Sequence, residues 1–237
     1  MNAAEDKKIL ITGASGLLGS NLVKLIQKEK VLTPSSKEMD ICSLKSVQSF
    51  FKKNLEIDLV IHCAAYTDVK RAQTDFLKCA ETNVIGTYNI LHACTTKGIK
   101  MVMISTDAVF NGEKGLYRPT DLVDPVSNYA KTKTAAELLV RAYENSLIIR
   151  TSFFGENFPY SRAFTDQWTS KDYIDLMAPK IHKQAISNRT GIIHVFSKRR
   201  SLYELALIRN KNVVQSSLDD VDFGFNMPRD LSLLGEE

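Results

Sequence analysis

Short apolar runs of strand length alternate with segments of helical periodicity along most of the chain. The runs are rich in β-branched residues and end at polar or turn-forming residues, which is typical of buried strands. The predicted strands are Lys8–Thr12, Val31–Thr33, Leu59–His62, Met101–Ser105, Leu147–Arg150 and Gly191–Phe196. The predicted helices are Gly16–Glu29, Leu44–Asn54, Phe76–Lys97, Tyr129–Tyr143, Lys171–Lys183 and Ser201–Asn210.

This alternation indicates βαβ units, and therefore an α/β fold with a parallel sheet covered by helices. Gly98 is positioned to end the third helix, because glycine readily adopts the left-handed conformation found there. Ser127 or Asn128 is expected to cap the start of the fourth helix. Residues 106–128 include two glycines and two prolines, which predicts a loop at the carboxyl end of a strand.

The length of 237 residues fits one domain. We expect a single domain over residues 7–237, made of a core over 7–155 and a compact C-terminal portion over 156–237. Asp219–Glu237 has little periodicity, so we expect this tail to wrap over the rest.

Composition and charge are those of an ordinary globular protein, with 44% hydrophobic residues and a formal net charge of +4. No stretch is apolar over the length of a bilayer span, and the first residues lack the apolar centre of a signal peptide. We therefore expect a cytoplasmic protein with no membrane partner. The basic triplet Lys198–Arg200 predicts a solvated turn, and no nucleic-acid partner is expected.

The four cysteines and four histidines show no spacing typical of a metal or redox site. They predict reduced, mostly buried thiols and no metal.

Glycine recurs at every third position of the predicted turn between the first strand and the first helix. Gly13 permits the tight turn, Gly16 lets the backbone approach a phosphate, and Gly19 lets the helix pack on the strand. The free N–H groups of a helix N-terminus also favour an anion. The first gap is one residue wider than in the common fingerprint, and glycine is also the ordinary choice at such turns. With a strand before it and an amphipathic helix after it, the pattern predicts a Rossmann-type, doubly wound sheet that binds a dinucleotide.

The segment after the second strand bears on which dinucleotide binds. A carboxylate there would bind the ribose 2′-hydroxyl of NAD. Thr33–Lys37 contains hydroxyls and a lysine but no carboxylate, which favours NADP(H), while Glu38 next to it leaves NAD(H) open. Asp40 and Ile41 are candidates for an adenine contact, and the alternative is that they cap the next helix.

Tyr129 and Lys133 are four residues apart in a predicted helix, and therefore lie on one face about one turn from each other. A neighbouring ammonium lowers the pKa of a tyrosine, which would make Tyr129 a proton donor or acceptor. Ser105 and Thr106 end a predicted strand at the same edge of the sheet, where Thr106 would hydrogen-bond a substrate carbonyl. The alternative is that both are ordinary loop hydroxyls, since many helices contain a Tyr and a Lys at this spacing.

A series of ordered motifs resembles the extended short-chain dehydrogenase/reductases, and within them the dTDP-4-dehydrorhamnose reductase group. The motifs are Ile11–Gly19, Asp40–Ile41, Val60–Val69, Asn83–Thr87, Ser105–Gly112, Tyr129–Lys133 and Arg150–Ser152. The resemblance is nearly continuous from Lys8 to about Gly155 and weaker beyond it.

The resemblance implies an NAD(P)H-dependent reductase acting on the 4-keto group of a nucleotide-activated deoxysugar. Thr106, Tyr129 and Lys133 would be the catalytic hydroxyl, the proton donor and the activating cation. The residues implied for cofactor binding are Gly13, Ser15, Gly16, Leu17, Leu18, Asp40, Ile41, Ala64, Ala65, Tyr66, Ser105, Tyr129 and Lys133. The residues expected on the substrate side are Thr67, Asp107 and Phe153, followed by the portion 156–237.

The chain departs from the group's pattern on that substrate side. Ala108 stands where the group usually has an aromatic residue, Phe153 where it often has Trp, and Phe154–Lys171 is shorter than usual. A sugar-nucleotide epimerase with bound NAD and a non-catalytic, NADP-binding regulatory subunit therefore stay open as alternatives. The identity of the sugar and the formation of a homodimer stay open as well.

Overall fold

Strands and helices alternate along the computed structural model, which describes residues 7–27, 30–223 and 227–235. The strands are β1 Ile9–Thr12, β2 Val31–Leu32, β3 Leu59–His62, β4 Lys100–Thr106, β5 Ser146–Thr151, β6 Phe153–Phe154, β7 Arg162–Phe164, β8 Trp168–Thr169, β9 Asp172–Tyr173, β10 Gly191–His194, β11 Arg200–Ser201 and β12 Val214–Ser216. The helices are α1 Leu17–Val23, α2 Leu44–Lys53, α3 Val69–Ala72, α4 Phe76–Ala80, α5 Gly86–Lys97, α6 Asn128–Arg141, α7 Ile174–Ala185 and α8 Leu202–Leu207. A π-helical segment, Glu81–Ile85, joins α4 to α5, and 3-10 turns span Asp107–Val109 and Leu218–Asp220.

Six strands form the central sheet in the order β10-β5-β4-β3-β1-β2, and every neighbouring pair is parallel. The chain runs from β1 to β2 on one side and then crosses to β3 on the other side of β1. Such a reversal opens a crevice at the carboxyl ends of the strands, where α/β proteins bind their ligands. The predicted doubly wound, Rossmann-type α/β fold is therefore confirmed.

Helices cover both faces of this sheet, because its buried strands present apolar side chains on both sides. Ile9 and Ile11 of β1 face a core shared with α1 and α7. Leu10, between them in sequence, faces a second core shared with α2, α5 and α6. The alternation follows from the two-residue period of a strand.

The helix predicted over Lys171–Lys183 begins only at Ile174, because Asp172–Tyr173 forms strand β9. Two other helices differ more from the prediction. The first was predicted over Gly16–Glu29, but α1 ends at Val23 because the N–H groups of Leu25 and Ile26 bond to carbonyls three residues back. Residues 28 and 29 lie outside the described residues.

The second difference lies in the helix predicted over Phe76–Lys97, which is interrupted by the π-helical segment Glu81–Ile85. The predicted end is confirmed, since Gly98 caps α5 with a φ of 68°. The predicted cap of α6 is also confirmed, since the Ser127 hydroxyl accepts a hydrogen bond from Ala130 N.

The residues beyond β5 do two things at once. They form small two-stranded pairings, β6 with β9, β7 with β12 and β8 with β11. Residues of β6, β7 and β9 pack with α8 in a separate apolar cluster. The residues beyond β5 also return to the main sheet, because α7 packs on its core and β10 pairs with β5. The C-terminal portion therefore interleaves with the core.

The tail wraps as predicted over residues 227–234, while residues 224–226, 236 and 237 lie outside the described part. Tyr117, in the loop after β4, donates from its N–H to Ser232 O at 2.9 Å and accepts from Leu234 N at 2.7 Å. A Cβ on Gly112 would lie 2.7 Å from the backbone Cα of Pro228, so the tail approaches this loop closely because a glycine stands there.

The basic triplet was predicted as a solvated turn, and Lys198 and Arg199 are indeed exposed, but both arginines are also held in ion pairs. Arg199 bonds to Asp230 and lies over the ring of Trp168, at 4.1 Å from its centroid. Arg200 bonds to the buried carboxylate of Asp172 at 3.3 Å. Carboxylates brought in by other segments hold two of the three cations in the fold.

In the described ranges no helix combines the length and the apolar character that crossing a bilayer requires. The same residues contain no cluster of His, Cys, Asp and Glu suited to a metal ion. All four cysteines are free thiols.

Candidate active site

A cavity of about 1650 Å³ opens at the carboxyl ends of β1, β3 and β4. It brings the glycine turn together with the predicted catalytic residues Thr106, Tyr129 and Lys133. The other predicted site residues that line it are Ser15, Leu17, Leu18, Asp40, Ile41, Ala64, Ala65, Thr67, Ser105, Asp107 and Phe153. Of the predicted set, Tyr66 does not line the cavity.

Two glycines of the turn stand where any side chain would collide with backbone atoms. Gly13 has a φ of +67°, and a Cβ there would lie 2.7 Å from Ala64 Cα. A Cβ on Gly19 would lie 2.3 Å from Gly13 O. The turn after β1 and the segment after β3 therefore approach each other closely.

A buried chain of hydrogen bonds fixes these two segments. Thr12 Oγ1 accepts from Ala64 N at 3.2 Å and lies 2.7 Å from His62 Nδ1. On the other side of the ring, Nε2 lies 3.1 Å from Thr87 Oγ1, whose hydroxyl donates to Asn83 O. The Thr87 hydroxyl thus accepts from Nε2–H, which leaves Nδ1 to accept from Thr12. Burial lowers the pKa of His62 to about 3, so the imidazole stays neutral in this arrangement.

Asp40 and Ile41 lie on the cavity wall and do not cap α2. The cap is Ser43, whose side chain accepts from Ser46 N. Asp40 Oδ1 accepts from Cys42 N at 2.9 Å, and Ile41 O accepts from Asn89 at 2.8 Å. The wall is therefore fixed from both sides.

Lys133 is buried beside the predicted acid. Its exposed fraction is 3%, and Nζ donates to Ile104 O at 2.8 Å. Burial lowers the pKa of Lys133 to about 8, against the opposing charge of Glu137. The pKa of the lysine therefore lies near neutral pH.

The sequence predicted that the Lys133 ammonium lowers the pKa of Tyr129, and the structure corrects this. Burial raises the pKa of Tyr129, and the opposing influence is a hydrogen bond with Thr106. The physical reason is that desolvation disfavours the phenolate, while Lys133 donates to the backbone of β4. Tyr129 is thus held in its protonated form, which suits a proton donor.

Helix α6 carries Tyr129 and Lys133 and is anchored at two places. Glu137, one turn beyond Lys133, accepts hydrogen bonds from Nε and Nη2 of Arg150 on β5, the latter at 2.7 Å. Both side chains are 2% exposed. Arg150 also donates to Pro119 O at 3.2 Å, which ties the loop after β4 to the helix.

The second anchor is Asn83, in the π-helical segment. Its Nδ2 donates to Thr132 Oγ1 at 2.9 Å, and the Thr132 hydroxyl donates to Tyr129 O at 2.7 Å. Its Oδ1 accepts from Tyr66 N at 2.8 Å. Asn83 therefore links the backbone of Tyr66 to α6, although Tyr66 does not line the cavity.

Sequence reasoning missed several lining residues in Phe154–Lys171. Arg162, Phe164 and Lys171 all line the cavity. The signal was the alternation of aromatic, basic and small residues around Arg162, which becomes a strand only by pairing with β12, about fifty residues later. Ala108 and Phe153, the departures noted above, also line the cavity.

Comparisons with known proteins point to the same kind of protein as the site does. Residues 7–183 match the family described as RmlD substrate binding domain. Spore coat polysaccharide biosynthesis protein SpsK of Bacillus subtilis is 33% identical over 247 residues, which cover 94% of this chain and 86% of that protein. A dTDP-4-dehydrorhamnose reductase of Mycobacterium tuberculosis is 33% identical over 159 residues, 64% of this chain and 51% of that protein. The match therefore spans about half the length of that reductase.

Among solved structures, a dTDP-4-dehydrorhamnose reductase from Bacillus anthracis in complex with NADP superimposes with a TM-score of 0.88. The sequences are 26% identical, and the superposition covers 97% of this chain and 91% of that one. With the family match over most of the sequence, the chain belongs to the RmlD substrate binding domain family.

Proposed function

We propose that this protein is an NADP(H)-dependent oxidoreductase that reduces the 4-keto group of a dTDP-activated deoxysugar. The observation that carries the proposal is that one cavity holds both the glycine turn and the triad of Thr106, Tyr129 and Lys133. Relatives named dTDP-4-dehydrorhamnose reductase, one of them bound to NADP, support the same chemistry.

The residues fit a dinucleotide. The turn at Gly13 leaves no space for a side chain but leaves backbone exposed to the cavity. The buried hydroxyl of Ser105 lines the cavity and has no hydrogen-bond partner within the described residues, so it is available to a bound ligand. Asp40 and Ile41 would contact the adenine, and Ala64 and Ala65 the riboses. When bound, NADPH supplies the hydride that reduces the ketone.

The chain's own residues would manage the proton and the orientation. The hydroxyls of Thr106 and Tyr129 would both hydrogen-bond the carbonyl oxygen of the sugar. Tyr129, held protonated by burial, would deliver its proton to that oxygen as negative charge develops there. Lys133 would stabilise the resulting phenolate and orient the cofactor ribose.

The substrate side would recognise a nucleotide diphosphate. Arg162 and Lys171 bring two cations to the cavity wall, and Lys171 Nζ lies 5.0 Å from the centroid of Phe154. Cations suit a diphosphate, and aromatic faces suit a base or a sugar ring. We further propose that residues 7–155 hold the cofactor and the catalytic triad and that residues 156–237 lie on the substrate side. We also propose that the protein is cytoplasmic and that it forms a homodimer.

The test is Tyr129→Phe, with Tyr88→Phe as the matched control on an exposed tyrosine. NADPH oxidation is followed with dTDP-4-keto-6-deoxysugars, and NADPH binding is measured separately by fluorescence. We expect Tyr129→Phe to lose at least 100-fold in turnover, in keeping with loss of a general acid, while binding changes less than threefold. Turnover equal to that of the control would refute the mechanism.

The alternatives give different outcomes in the same assay. NADPH binding without turnover of any keto sugar would favour the regulatory subunit. NAD that stays bound through purification, together with conversion of a sugar nucleotide without net oxidation, would favour the epimerase.

A further inference from the structure

The Thr106 hydroxyl has all of its hydrogen-bonding positions taken within the protein itself. Its proton is donated to Asp107 Oδ1 at 3.2 Å. Its oxygen accepts from Ala108 N at 3.1 Å and is also hydrogen-bonded to the Tyr129 hydroxyl. Since a hydroxyl has one proton and two lone pairs, Tyr129 is the donor in the last of these bonds. Neither hydroxyl therefore has a proton left for a substrate carbonyl in this arrangement.

The group that takes the Thr106 proton is a buried carboxyl on the cavity wall. Asp107 is 4% exposed and lines the cavity directly after Thr106. Burial raises the pKa of Asp107, against the charge of Lys171 and hydrogen bonds from Thr106 and Ser152. Lys171 acts on it from the segment between β8 and β9, and Tyr129 faces it from α6. The protonated form of Asp107 is thus reached at a higher pH than that of an ordinary aspartic acid.

The two forms of this carboxyl group act on Thr106 in opposite ways. An ionised carboxylate only accepts hydrogen bonds, so it keeps the Thr106 proton. A protonated carboxyl group can donate to Thr106 Oγ1, whose two lone pairs are then taken by Asp107 and Ala108. The Thr106 proton is released, and the Tyr129 proton loses its acceptor at the same time. Both hydroxyls then have a proton for one carbonyl oxygen, as the proposed reaction requires.

We propose that Asp107 is a positioning residue that controls the direction of the Thr106 and Tyr129 hydroxyls, and that the productive site contains its protonated form. The inference rests on the proposed reductase function and deepens it, because it names the group that turns both donors towards the substrate. The proton on Asp107 comes from water in the cavity. Apart from this protonation, the change consists of hydroxyl rotations.

The size of the effect follows from the value of a donor in a reduction site. Loss of one hydrogen-bond donor to a developing oxyanion commonly lowers turnover about 100-fold or more. We expect kcat/KM of the unaltered protein to rise as the pH falls from about 7.5 to about 5.5, by up to about tenfold per pH unit. Two other groups titrate without imitating this rise. Deprotonation of Lys133, with a pKa of about 8, lowers the rate on the alkaline side, and acid unfolding would lower the rate as well.

The first test compares Asp107→Asn with Asp124→Asn, which removes the same charge from an exposed position outside the cavity. Asparagine is uncharged at every pH, and its amide donates to Thr106 as the protonated acid does. We expect Asp107→Asn to show a flat kcat/KM over this pH range and a value at about pH 7.5 at least about tenfold above that of the unaltered protein. Asp124→Asn should keep both the rate and the acid rise. A residue that merely supports the fold would lower the rate when replaced and leave the pH profile unchanged.

A second pair of variants tests the hydroxyl through which Asp107 acts. Thr106→Val has no proton to release, so the acid rise should disappear along with most of the turnover, whereas Thr106→Ser should keep the rise. This pair decides the question even if Asp107→Asn does not fold. A flat profile in the unaltered protein, or the same acid rise in Asp107→Asn or in Thr106→Val, overturns the inference alone. An unaltered protein that binds NADPH but reduces no keto sugar overturns the proposed function and the inference with it, so the two failures are distinguishable.

Discussion

The buried ion pair between Arg150 and Glu137 makes a strong prediction about stability. Both side chains are 2% exposed, and the guanidinium also lies over Phe110, 5.1 Å from its ring centroid. Removing one partner of such a pair leaves an uncompensated charge in the interior, which destabilises a protein by about 3–5 kcal/mol. For a chain of this size that corresponds to a fall in melting temperature of about 6–20 °C. The variants are Glu137→Gln and Arg150→Met.

The assay is urea unfolding followed by circular dichroism, with melting temperatures as a second measure. The control is Lys78→Gln, which breaks the exposed pair of Lys78 and Glu81 at 2.8 Å and should leave the free energy of unfolding nearly unchanged. The double variant Glu137→Gln/Arg150→Met should lose at least about 2 kcal/mol less than the sum of the two single losses, because neither charge is left alone. The reasoning would be refuted if the single variants were as stable as Lys78→Gln. It would also be refuted if the free-energy losses of the two single variants simply added up in the double variant.

Two further predictions follow from backbone contact and from burial. Gly13→Ala should reduce NADPH affinity by more than about tenfold, because its Cβ would lie 2.7 Å from Ala64. The control is Gly98→Ala, which has a similar φ of +68° but no atom within 4 Å of its Cβ, and it should bind NADPH normally. Equal losses of affinity in the two variants would count against a cofactor site at the glycine turn. Acidification should destabilise the protein through His62, because burial lowers the pKa of its imidazole from 6.5 to about 3. Between these two pH values only the unfolded chain binds the proton. The free energy of unfolding therefore falls by about 1.4 kcal/mol for each pH unit of acidification. His62→Asn should have a flatter dependence of unfolding free energy on pH from 7 to 4, and a slope as steep as that of the unaltered protein would contradict this.

Much of the architecture could be read from local patterns. Five of the predicted strands became members of the central sheet within one or two residues of their expected bounds, and the sixth, Gly191–Phe196, ended two residues early. Periodicity succeeded there because a buried parallel strand must be apolar throughout, whatever its neighbours are. It failed at Glu81–Ile85, because an α-helix and a π-helical segment have nearly the same sequence pattern and the choice depends on the contacts of Asn83.

The candidate site divides in a similar way. The glycine turn, Thr106, Tyr129 and Lys133 were found from spacing and meet in one cavity. The direction of the Tyr129 pKa shift could not be found this way, because desolvation depends on which groups surround the ring. Arg162 escaped notice because its strand has three residues and exists only through pairing with β12.

The sequence by itself determined the order of strands and helices, the turn that needs glycine, and the helical spacing of Tyr129 and Lys133. These depend on backbone conformation and on periods of two and 3.6 residues, which are local properties. Tertiary structure alone decided the partner of Lys133, the burial that keeps Tyr129 protonated, and the pairing of Arg150 with Glu137. The physical reason is that burial and these contacts arise between segments that are distant in the chain.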